Sequence, residues 1–242
     1  MKRCCLYAVV LSGLVGLSTS FVLSAAQDLR TTKQMQEFVS SASTAADHTQ
    51  LSKHFLEMAA QYRADAETHT AMALSYRSNP GPPRGGGGDA AGAHCDRLAR
   101  QAREAATTAT ELAIFHERLA AEGPESDAQA PTNRPTLSMP ELKYPDLLTA
   151  KQAQELVASA KTPADHVKLG KHFAAEAARY TVDANSHVGM AAGYRGNPRP
   201  GLSSAADHCD RLIQQMREAA AAARALATYH EQLAKSDLAV AK

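Results

Sequence analysis

Ten histidines carry most of the chemistry this chain offers, and they come in pairs. His48 and His166, His54 and His172, His69 and His187, His94 and His208, and His116 and His230 occupy matching places in two stretches of sequence. Clustered imidazoles suit zinc, copper, iron or nickel. Cys95 and Cys209 directly follow His94 and His208, and Met72 pairs with Met190. Thiolate, thioether and imidazole together suit copper(I) best.

An antiparallel helical hairpin arranges these residues in zones. With its turn near residue 85, residues whose numbers sum to about 170 lie level. A lower zone then holds His54 and His116, level with Phe55, and His48 one to two turns away. His172, His230 and His166 are its counterparts. An upper zone holds His94, Cys95 and Met72, with His208, Cys209 and Met190 as counterparts. Between them lie Asp65, His69 and Glu104, with His187 matching His69. Carboxylates with imidazole hold di-iron centres in helical bundles, but there the spacing is Glu-x-x-His, whereas Asp65 and His69 are four apart.

Each zone has a plainer reading. His48, His69 and His116 fill a core and bond to tyrosine, glutamate or backbone. His54 and His94 flank the seam and are solvated. Asp65 and His69 form a helix-surface ion pair. Cys95 and Cys209 are small apolar fillers or a disulfide. Other chemistries lack their motifs. There is no Cys-x-x-Cys-His for covalent haem, no HExxH, no nucleophile elbow and no phosphate loop, and Gly85 to Gly88 is a plain linker. The reading that follows is binding without turnover.

The elements that must position these residues are helices. Aromatics make up 5% of the chain, tryptophan is absent, and Ala, Glu, Gln, Arg and Leu dominate. The 242 residues form one unit written twice. Residues 33–80 match 151–198 at 27 of 48 positions, and 94–120 match 208–234 at 17 of 27. Each copy predicts a short helix, over about 33–42 and 151–160, and two long ones. The first long helix spans about 45–77 and 163–195, with Thr44 and Thr162 as N-caps and Pro163 in the first turn. The second spans about 90–121 and 204–235. Two hairpins give an all-α, pseudo-twofold four-helix bundle.

The seam supports this. His48, Phe55, Tyr62, His69 and Tyr76 recur every seven residues, with Ala59, Ala66 and Ala73 between them. Across the 17 paired seam positions, 15 are identical. The core is thus what the copies share most.

Organisation follows from the remainder. Met1-Lys2-Arg3, an apolar run to about Val22 and small residues at Ser24 and Ala26 read as a signal peptide over 1–26, cleaved before Gln27. An uncleaved anchor is the competing reading. The first hairpin repeat covers 27–121, a proline-rich linker 122–149 and the second repeat 150–242. The net charge of +1, from 26 basic and 25 acidic residues, favours neither nucleic acid nor an acidic membrane. The expectation is an exported, periplasmic or extracellular, non-enzymatic bundle that binds copper or zinc. Its partners are the metal ion or an envelope protein, and no segment after the leader spans a membrane. The alternative is a structural or chaperone-like envelope bundle with no cofactor.

Overall fold

The computed structural model describes residues 33–78, 87–122, 144–199 and 201–240. The leader expected over 1–26, with Cys4 and Cys5, lies outside the described residues, as do most of the expected linker and the Gly/Pro stretch of the first repeat. The described residues are all-helical, with no strand. The helices are α1 (33–41), α2 (Ala45–Ser78), α3 (Gly87–Glu122), α4 (Ala150–Ser159), α5 (Pro163–Gly196) and α6 (Leu202–Val240).

The helix starts are set by side chains. Thr44 Oγ1 accepts from Asp47 N–H at 3.1 Å, and Asp47 Oδ2 accepts from Thr44 N–H at 3.0 Å. Thr162 and Asp165 repeat this box at α5, with Pro163 in the first turn. Each box satisfies two of the donors a helix start leaves free. Thr149 and Gln152 form a third box at α4. The Thr-x-x-Gln spacing is the sequence signature of that start, although Thr149 falls in the segment read above as linker.

The helices pack in pairs: α2 on α3, α5 on α6, and α3 on α6. Gln101 on α3 donates to Glu218 on α6 at 2.6 Å, and Arg211 on α6 to Glu111 on α3 at 2.9 Å. By contrast, α2 and α5 meet through long side chains, Arg179 to Asp65 and His69 to Glu176. Fully buried Phe55, Tyr62, Phe173, Tyr180 and Tyr194 lie in the core, beside alanines such as Ala59, Ala105, Ala109 and Ala223.

The short helices cross between the halves. α4, from the second copy, packs on α2. α1, from the first, lies against α5 so closely that a Cβ on Gly193 would stand 2.8 Å from the Gln36 carbonyl oxygen. Asn197, just past α5, donates from Nδ2 to the carbonyls of Val39, Ser40 and Ala42, all at 3.1 Å. The free carbonyls at the end of α1 are thus met by a side chain from the other half.

Candidate functional site

The seam places His48 on α2 and His116 on α3 in a fully buried position, where they meet ring to ring. Their Nδ1 atoms are 3.1 Å apart. His116 Nε2 is 2.6 Å from the hydroxyl of Tyr194, which comes from α5. Phe55 stacks on His116, with centroids 5.7 Å apart and planes at 8°. The arrangement recurs at the other site. His166 Nδ1 is 3.2 Å from His230 Nδ1, His230 Nε2 is 2.6 Å from the Tyr76 hydroxyl, and Phe173 stacks on His230 at 5.7 Å and 7°. Each tyrosine is supplied by the opposite half.

In the first chain the protons can be assigned. Arg199 Nη1 lies 2.6 Å from His48 Nε2. A guanidinium only donates, so His48 Nε2 accepts and the ring proton sits on Nδ1. His48 Nδ1–H therefore donates to His116 Nδ1. The His116 proton is then on Nε2 and points at the Tyr194 oxygen. Burial holds both rings neutral: it pushes His116 down to about 3, with the His48 and Arg199 charges adding to it. It pushes His48 to about 4, helped by Arg199. His230 falls to about 3 by burial and the charge of His166.

This geometry corrects the expected lower zone. His116 does lie level with Phe55, but its partner is His48, not His54. His54 stands one position off the seam, about 100° round the helix from Phe55. There it adds to the burial that pushes the His187 imidazole of α5 down. His172 is buried too, and its Nδ1 accepts from Leu148 N–H at 3.2 Å. The solvated reading of His54 therefore fails.

The middle zone is also rearranged. Asp65 and His69 do not form a surface ion pair; both reach across to α5. Arg179 Nη2 donates to Asp65 Oδ2 at 2.7 Å, and His69 Nε2 stands 3.0 Å from Glu176 Oε1. Glu104 is exposed, beside Arg100. Burial pushes the Glu176 carboxyl up, but His69, His172 and Arg179 outweigh it and hold the group at about 2. Glu176 and Arg179 were not singled out from sequence. The available signal was a charged pair beside the α5 seam whose counterparts, at an offset of 118, are Met58 and Gln61.

In the upper zone Cys95 and Cys209 are free and buried, and burial raises both thiols. Met72 and Met190 are fully buried. His94 is half-buried, and His208 sits between Glu111, at 3.1 Å, and Arg211. Among the described residues, no three His, Cys, Asp or Glu side chains are grouped to hold a metal ion. A surface groove lined by Val188, Arg195, Asp210, Ile213 and Arg217 includes none of the candidate residues.

No protein-family model, no curated protein and no solved structure matches this chain.

Proposed function

We propose that this protein is an exported, non-catalytic helical scaffold of the cell envelope, structural or chaperone-like in use. Its architecture is a pseudo-twofold four-helix bundle of two duplicated antiparallel hairpins, each preceded by a short helix. The carrying observation is where the repeated histidines spend their ring nitrogens. In the two His–His–Tyr chains they bond to each other and to a tyrosine of the opposite half. For these four, repetition of histidine follows from repetition of the fold. Export rests on the leader-like residues 1–26. Among the described residues no helix is long and apolar enough to cross a membrane.

A copper- or zinc-binding use is the second reading, and one observation favours it. His187 has two buried ring nitrogens without a hydrogen-bond partner, and His54 has one. His48 cannot serve as an Nδ1 ligand while Arg199 holds its proton there, and His172 Nδ1 is already occupied.

The test is the fold of the metal-free protein. After exhaustive chelation, the exported chain should remain helical and melt in one cooperative transition. A chelated chain that is unfolded, or that has lost its near-ultraviolet signal, would overturn the scaffold reading and make metal the organiser of the bundle.

A further inference from the structure

The second-repeat layer His172–Glu176 faces His69 of the first repeat. The offset of 118 predicts a matching layer, His54–Met58, facing His187. In the first of these, Glu176 stands 3.0 Å from His69. In the second, methionine takes the place of the carboxylate. By hydrogen-bond geometry both ring nitrogens of His69 are unpartnered too, so the two layers differ in the carboxylate that stands beside His69. His187 is fully buried, and neither of its ring nitrogens has a hydrogen-bond partner. His54 Nδ1 is likewise buried and unpartnered, and Met58 is 5% exposed. Buried imidazole nitrogens left unmatched are costly, and a cation that accepts their lone pairs would remove that cost.

We infer that His54, Met58 and His187 form a soft-metal site between α2 and α5, and that its ion is copper(I). The donor set has no fixed charge: two imidazoles and a thioether. A thioether selects copper(I) over harder divalent ions, which are better served by carboxylate or carbonyl oxygen. The residue matching Arg179 is Gln61, which is exposed, so no buried cation opposes an incoming one. His54 and Met58 are four apart on α2 and so share a face. This site uses none of the four histidines of the His–His–Tyr chains, and the scaffold reading does not depend on it.

The experiment uses the chain as purified after export, stripped of metal. It is titrated with copper(I) under anaerobic, reducing conditions against a chromogenic copper(I) chelator, and the loaded protein is studied by X-ray absorption. About one equivalent should be retained with two nitrogen donors and one sulfur donor. Met58→Leu conserves volume and should leave the helical signal intact. It should remove the sulfur contribution and weaken binding by more than roughly tenfold, the scale that even outer-shell partners carry. The double variant Cys95→Ala with Cys209→Ala should change neither. Failure to retain copper, a sulfur donor lost with the cysteines instead of Met58, or preferential retention of zinc would each overturn the site. If Met58→Leu does not fold, the wild-type spectrum decides: any ligand set other than two nitrogens and one thioether sulfur overturns it.

Discussion

Lowering the pH from 7.5 to 5 should unfold this bundle, and the size of the effect follows from four imidazoles. Burial holds His54 at about 4 and His116, His187 and His230 at about 3. An unfolded histidine titrates near 6.5. All four folded values are depressed, so the unfolded state binds protons first and stability is lost as pH falls below about 6.5. At pH 5 an unfolded imidazole is about 1.5 units below its pKa. At 1.36 kcal/mol per unit, each ring then costs the fold about 2 kcal/mol, and these four together about 8, with His48, also held at about 4, adding to it. A whole domain has about 5–15 kcal/mol to lose. The Nδ1 pairs give this a structural basis. One proton fits between two nitrogens 3.1 Å apart, and a second would set two N–H groups against each other. Glu176, held at about 2, has the same sign of linkage in a lower window: its contribution is lost only as pH falls below the ordinary carboxylate value near 4.5. The window from 6.5 to 4.5 therefore reports the histidines. The assay is urea denaturation of the metal-free protein followed by circular dichroism at half-unit pH steps. Stability that stays level between pH 7.5 and 5 would refute the reasoning, because the rings would then be free to charge inside the fold.

Three further outcomes are expected. Tyr194→Phe and Tyr76→Phe each strand a buried imidazole nitrogen and should cost about 1–3 kcal/mol in denaturant titrations, though each removes a single oxygen. Gly193→Ala should cost about 1–3 kcal/mol, since its Cβ meets a backbone carbonyl of α1, whereas Gly196→Ala meets open space and should be neutral or mildly stabilising in the same melt. Met58→Glu should give His187 the carboxylate that Glu176 gives His69, raising the His187 pKa from about 3 in a histidine-resolved NMR titration.

The parts of this account that were legible in the sequence are local or repeated. Thr44 with Asp47 and Thr162 with Asp165 announce their helices, because a capping box needs only four residues. The seven-residue spacing of His48, Phe55, Tyr62, His69 and Tyr76 announces an inward face, and all five are buried. Within one hairpin, level residues also follow from the turn, so His116 beside Phe55 was accessible. The rotation of His54 by one position away from that face was enough to break the expected His54–His116 pair. Contacts between halves were beyond reach for a different reason. Repetition says that two hairpins are alike, not how they dock. Tyr194 meeting His116, Arg179 meeting Asp65 and Asn197 closing α1 depend on that docking.

The central claim is that histidine pairs, each completed by a tyrosine of the other half, hold the two halves together. The most direct test is nitrogen NMR on protein labelled with nitrogen-15 in histidine. The claim predicts scalar coupling between His48 Nδ1 and His116 Nδ1 through a shared proton, with His48 protonated on Nδ1 and His116 on Nε2. Two rings both protonated on Nε2, with no coupling between them, would contradict it.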